Sequence, residues 1–186
     1  MKTILDSKSI EKTLDTMAGH ICRVWDETSK NRGRFIDLAL VGIRSRGGPI
    51  ADRLAVLITE KTGKKVNKGI LDITLYRDDL SLQRGRAIVR ATEIDFNIDS
   101  MLVYIVDDVL FTGRTIRAAM DAIFDLGRPE IIKLAVLVDR GGRELPIQAD
   151  CVGLHAEVMP GEVVSVHLSE IDKKDEIILE SMKHEI

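Results

Sequence analysis

Apolar positions along the chain follow two rhythms, and their alternation predicts an α/β protein. From Ser7 to Thr28, Ile10, Leu14, Met17, Ile21 and Val24 recur three or four apart, which is the period of one helix face. Asp37–Ile43 holds the unbroken run Leu38-Ala39-Leu40-Val41, a buried strand. The helical period returns over Gly47–Thr62, at Ile50, Leu54, Leu57 and Ile58, and Gly63 ends it. Ile70–Arg77 reads as a strand, and the arginine-rich Asp78–Arg90, with no period, as a loop. Met101–Val106 and Ile131–Val138 are further buried strands. Between them Thr115–Leu126 is a helix stopped by Gly127-Arg128-Pro129. Val163–Leu168 and Glu176–Leu179 are short strands. This order implies a mostly parallel central sheet flanked by helices. In such sheets ligands collect beyond the carboxyl ends of strands. Attention therefore falls on the residues just after Ile43, Arg77, Val106 and Val138.

Composition narrows the classes. A length of 186 residues suits one domain, residues 1–186. Aromatics are only 4%, so the core is aliphatic and base stacking on aromatic platforms is disfavoured. A net charge of −3 excludes a generally basic nucleic-acid binder. Cys22 and Cys151 lie far apart without CxxC spacing, and His20, His155, His167 and His184 lack ligand spacing, so neither a disulfide framework nor a zinc site is expected. The first ten residues lack a signal-peptide apolar region, and the longest apolar runs are too short for a membrane span. A cytoplasmic protein is expected.

The richest chemistry comes after the strand at Val103-Tyr104-Ile105-Val106. Two carboxylates, Asp107 and Asp108, precede Phe111-Thr112-Gly113-Arg114-Thr115, which opens a helix. Free N–H groups and the dipole at a helix start favour an anion, Gly113 permits close backbone approach, and Thr112 and Thr115 add hydroxyl donors. The two acids can accept hydrogen bonds from a vicinal diol. Donors for a phosphate beside acceptors for a diol describe a ribose 5-phosphate site. Taken singly, each residue also fits a plain turn or helix cap. The Gly-Lys-Ser/Thr ending of a Walker A loop is absent.

The other strand ends add cations. Arg44-Ser45-Arg46-Gly47 places two guanidiniums ahead of a glycine-led helix, as a pyrophosphate loop requires, although a basic solvated turn would read alike. Arg77, with Asp78, Asp79, Arg84, Arg86 and Arg90, could close over a leaving pyrophosphate; an exposed hairpin is the plainer alternative. After the last buried strand, the segment from Val138 through Asp139 and Arg140 would form a small hood over the base, and backbone groups near Val138 and Arg140 would read its edges. Asp139 could meet a metal directly or through water, while Arg143 and Glu144 fit a charged turn equally well.

The Asp107–Thr115 run resembles the phosphoribosyl-pyrophosphate signature of type I phosphoribosyltransferases. Most of the chain is similar to the bifunctional pyrimidine operon attenuator / uracil phosphoribosyltransferase family. The matching stretches are Leu71–Leu80, Asp107–Ala122, Leu126–Pro129, Leu134–Gly141, Arg143–Ile147 and Leu168–Glu170. The resemblance implies the type I phosphoribosyltransferase fold and synthesis of UMP and pyrophosphate from uracil and 5-phosphoribosyl-1-pyrophosphate. It also implies Mg2+, homodimers or larger homo-oligomers, and in some members UMP-dependent binding of leader RNA. Departures gather on residues the family associates with RNA. Gly142 stands where His is usual, Leu154–Met159 where Lys-Asn-Ile-Pro-Thr-Ser is usual, and Thr16-Met17 where Thr-Arg is frequent. A transferase for another nucleobase, a mainly RNA-binding regulator that uses the pocket to sense UMP, and an interaction module remain alternatives.

Overall fold

The computed structural model describes residues 2–77 and 91–181. After strand β1 (Lys2–Asp6), the Asp6 carboxylate accepts the Ser9 N–H at 2.9 Å and opens helix α1, Ser7–Asn31. The stripe Ile10, Leu14, Met17, Ile21 is buried as its spacing demands, while Trp25 donates its indole N–H to the Ile36 carbonyl at 2.6 Å.

Next come β2 (Leu38–Ile43), α2 (Gly47–Thr62) and β3 (Asn67–Leu71). They are followed by β4 (Leu102–Leu110), α3 (Arg114–Leu126), β5 (Ile131–Asp139) and β6 (Cys151–His155). Five strands form one parallel sheet in the order β3-β2-β4-β5-β6. Strand alternation sorts the core. Leu38, Leu40, Leu102 and Tyr104 face α1 and α2, whereas Ala39, Val41, Val103 and Ile105 pack with Ile116, Ala119 and Ile123 of α3. Both faces are covered, so β2 is buried at every position.

The rest of the chain builds a hood. β7 (Glu162–His167), the short helix α4 (Ser169–Asp172) and β8 (Glu176–Ser181) complete an antiparallel sheet of order β1-β8-β7. The hood is thus made of these strands. The segment after β5 packs instead over the loop following β4: Arg140 N–H donates to Leu110 at 3.1 Å, and Glu144 and Leu145 N–H donate to Thr112 at 3.0 and 3.1 Å.

Four details differ from the expectations drawn from sequence. β1 and β6 are additional strands. Ile70–Arg77 is not one strand: β3 stops at Leu71, and a 3-10 turn occupies Thr74–Tyr76. The turn arises because Asp72 accepts the Thr74 N–H at 2.9 Å and its hydroxyl at 2.5 Å, pulling the chain out of extension. β4 continues through Asp107 and Asp108 to Leu110, held by pairs such as Asp107 with Val136 and Val109 with Val138. Among the described residues no helix is long and apolar enough to cross a membrane.

Candidate active site

The parallel strands end at one edge, and their loops enclose a cleft of about 440 Å3. Arg44, Ser45 and Arg46 come from the β2–α2 loop, Asp107, Asp108 and Val109 from β4, and Thr115 from the first turn of α3. Asp72, Ile73, Thr74 and Arg77 close the cleft from beyond β3. Residues from distant parts of the sequence thus meet, and guanidinium and carboxylate groups face one another.

Glycines bring the two central walls together. A Cβ on Gly47 would strike the Val106 carbonyl, and one on Gly42 would strike the Gly47 carbonyl. Only hydrogen at both positions lets the Arg44–Arg46 loop lie directly on β4 beside the acids. The Arg44–Ser45 peptide is cis.

Asp107 is 6% exposed, and its carboxylate accepts the Asp108 N–H at 3.0 Å. Burial first, and the adjacent Asp108 charge second, push its carboxyl well above the usual carboxylate range. Asp108 is less buried. Gly113 caps α3 at φ 94°, a conformation suited to glycine, and the Arg114 N–H reaches the Thr112 hydroxyl at 3.3 Å. Phe111, Thr112, Gly113 and Arg114 form the turn that delivers Thr115 to the cleft. The Arg114 side chain pairs with Glu144 at 2.7 Å.

The cleft arginines have carboxylate partners. Arg44 bonds Glu93 at 2.6 Å and the Ala91 carbonyl at 2.9 Å; Arg46 bonds both Asp172 oxygens at 3.1 and 3.3 Å. The Nε atoms of both arginines are buried without a hydrogen-bond partner among the described residues.

The expected base-side residues lie at the edge of this arrangement. Val138 is fully buried, but its ladder partner Val109 lines the cleft. Asp139 and Arg140 line a neighbouring cavity of about 820 Å3 with Pro146, Ala156 and Val158. Asp139 accepts the Gly141 N–H at 2.9 Å and pairs with Arg143 at 2.5 Å. Burial works to raise its carboxyl, yet the Arg143 pair and the Gly141 bond outweigh burial and hold it below the usual range. The Arg140 guanidinium lies 4.2 Å from the Phe111 ring centre. Gly142, at φ 73°, has that ring where a Cβ would sit, 2.5 Å away. A third cavity, about 550 Å3, runs between α1 and β6, lined by Lys12, Thr16, His20, Arg23, Asp150 and His155. Both of these cavities are roomier than the cleft and take in Asp139 and His155 from the ends of β5 and β6, but volume does not decide function; the cleft joins the ends of the central strands β2 and β4 to the first turn of α3.

Sequence reasoning missed Asp72, Ile73, Thr74 and Asp172. The Asp72-x-Thr74 spacing was a usable signal, since it is an Asx-turn pattern. Asp78, Asp79, Arg84, Arg86 and Arg90 lie outside the described residues.

An acid pair on a central parallel strand, a glycine-capped helix start and an arginine loop at the same sheet edge define a phosphoribosyltransferase. The family model for the phosphoribosyl transferase domain matches residues 2–171. Solved structures agree on the fold: hypoxanthine phosphoribosyltransferase of Trypanosoma cruzi superposes with a TM-score of 0.71 at 19% identity, covering 97% of both chains. A hypoxanthine-guanine enzyme from Bacillus anthracis gives 0.68 at 18%, covering 95% of this chain and 96% of that one. Within the phosphoribosyltransferases the chain belongs to the PyrR family. Proteins named Bifunctional protein PyrR from Pelotomaculum thermopropionicum and Alkaliphilus metalliredigens are each 50% identical, over 95% and 97% of this chain and 93% and 96% of theirs.

Proposed function

We propose that the chain acts as one phosphoribosyltransferase domain that converts uracil and 5-phosphoribosyl-1-pyrophosphate to UMP and pyrophosphate in the cytoplasm. The observation that carries the reading is the meeting of Asp107, Asp108 and Thr115 with Arg44 and Arg46 around one cleft. Backbone amides of Phe111–Thr115 hold the 5-phosphate at the start of α3. Asp107 and Asp108 accept the ribose hydroxyls. The Arg44-Ser45-Arg46-Gly47 loop and Arg77 hold the leaving pyrophosphate.

The C1–oxygen bond to pyrophosphate breaks as the C1–N1 bond to uracil forms, and the N1 proton leaves to solvent. Positive charge develops on the sugar, and the neighbouring carboxylates stabilise it. No covalent enzyme intermediate is needed, so positioning supplies much of the acceleration. The base lies on the β5 side, where Val138 adjoins Val109 and the loop through Asp139 and Arg140 offers polar edges. Aliphatic Val109, which lines the cleft there, suits a flat, neutral base.

Magnesium fits this donor set through the substrate. Among the described residues no cluster of three or more His, Cys, Asp or Glu could hold a metal ion alone. Mg2+ typically takes one or two carboxylates and completes its shell with phosphate oxygens and water. Asp107, Asp108 and Asp72 are the carboxylates in the cleft, whereas both Asp139 oxygens are engaged, which leaves Asp139 contact through water. When bound, the ion neutralises charge on the leaving pyrophosphate.

The relatives' name, bifunctional, favours a second activity. The resemblance supplies UMP-controlled RNA binding as that activity. Leu154, Gly142 and Glu157 thin the positive charge available to RNA phosphates, so catalysis is placed first. Titration calorimetry with 5-phosphoribosyl-1-pyrophosphate and Mg2+, followed by turnover on a panel of uracil, hypoxanthine and guanine, tests the proposal. Saturable binding and uracil-dependent pyrophosphate release are expected. Turnover with purines alone would replace uracil, and absence of binding would end the reading.

A further inference from the structure

The hood is fastened to the catalytic sheet by two arginines of α2, Arg46 at its N-cap and Arg53 within it. Arg53 lies two turns along α2 from Arg46, so both project on the same side. Its guanidinium donates to Glu170 at 2.8 and 2.6 Å, to Asp175 at 3.1 and 2.8 Å, and to the Ser169 hydroxyl at 2.9 Å. Those partners bracket Asp172 on both sides. Asp172 is fixed again by its own carboxylate, which accepts the Leu168 N–H at 3.0 Å. The same carboxylate, held on α4 in this way, also accepts from Arg46.

Arg46 gives only Nη2 to Asp172, while its Nε remains buried without a partner among the described residues. Arg46 also lines the cleft. A long arginine ordinarily samples many rotamers and loses that freedom on binding a ligand. Here one fork of the guanidinium is already anchored to a stationary carboxylate.

We propose that Asp172 is a positioning residue for the transfer reaction: it holds the Arg46 guanidinium against the cleft so that the donors left over meet the pyrophosphate group. The proposal rests on the reading of Arg44–Gly47 as the pyrophosphate loop. It makes the hood a working part of the pyrophosphate end of the site, reached through α4.

Steady-state kinetics of Asp172→Asn, Asp172→Glu, Arg46→Ala and the double variant Asp172→Asn/Arg46→Ala test it, in the forward direction and with pyrophosphate in reverse. Loss of a preorganised guanidinium contact should raise the KM for 5-phosphoribosyl-1-pyrophosphate and for pyrophosphate about tenfold in Asp172→Asn. The KM for uracil should stay within about twofold, and Asp172→Glu should recover part of the loss. In the Arg46→Ala background Asp172→Asn should have no further effect, because Asp172 acts through Arg46.

Equal effects of Asp172→Asn with and without Arg46, or a parallel rise in the uracil KM, would overturn the proposal and leave Asp172 a structural tether. A tenfold effect of Arg46→Ala with none from Asp172→Asn would overturn it while sparing the loop assignment. No effect of Arg46→Ala itself would remove the loop assignment, and the proposal with it.

Discussion

Asp107 shows how packing and chemistry compete at one side chain. It sits in the ladder of a central strand, nearly sealed from water, next to a second acid. A buried carboxyl with a raised pKa binds its proton more tightly folded than unfolded. Its burial therefore weakens the fold as pH rises above 3.8, the ordinary value, and the penalty persists at neutral pH. Asp107→Asn should keep or raise the Tm at pH 7, and the difference from the parent should vanish near pH 4, checked by calorimetry across pH. Its turnover, and that of Asp108→Asn, should fall about a hundredfold if, as proposed, both carboxylates stabilise charge on the reacting sugar. The acid pair was legible in the sequence because it stands at the end of an apolar run directly before a Thr-Gly helix start, a combination that a plain turn does not require. Asp172 was not legible: nothing local distinguishes it from other acids near it, and its meaning comes from Arg46, far away in sequence.

Single elements carry their own tests. Gly47→Ala forces a Cβ onto the Val106 carbonyl, and overpacking of that kind costs about 2 kcal/mol. The loop must back away from β4, so a lower Tm and weaker binding of 5-phosphoribosyl-1-pyrophosphate by titration calorimetry are both expected. Arg53→Ala removes the clamp on α4 and should cost roughly 2 kcal/mol at pH 7. Its hydrogen bonds hold the Glu170 and Asp175 carboxyls below their ordinary values of 4.5 and 3.8. Depressed carboxyls stabilise above those values and lose the contribution as pH falls through the folded ones. The stability gap between parent and Arg53→Ala should therefore close in acid, which denaturant titration at stepped pH would record.

β2, β4 and β5 were legible as strands because burial on both faces writes a continuous apolar run. β1 and β6 were not, for the opposite reason. Each is an edge strand, and half-exposed edges such as Lys2–Asp6 or the glycine-broken Cys151–His155 carry a faint pattern. The boundary error at β4 has a related cause: backbone pairing continues through Asp107 and Asp108, whose polarity suggested a loop.

For the whole molecule, the switching of hydrophobic period was enough to give the parallel sheet, and strand polarity located the cleft. What the sequence left open was which loops touch, since that depends on close approaches such as Gly47 on Val106. Charge also belongs to this scale. The face between α1 and β6 offers Lys12, Arg23 and two histidines but also Asp139 and Asp150. RNA affinity built on so few cations should stay in the non-specific range, about micromolar or weaker at physiological salt. Gel shifts with a pyrimidine-operon leader RNA, with and without UMP, measure it; nanomolar, UMP-dependent binding would contradict the expectation.

The pairing of β1 with β8, Lys2 opposite Leu179, joins segments made at opposite times. A ribosome releases β1 long before its neighbour exists, and all five strands of the parallel sheet are made in between. The nascent chain thus holds every strand of the parallel sheet before it holds the last strand of the hood. The opening strand must wait in solvent until the closing one emerges to shelter it.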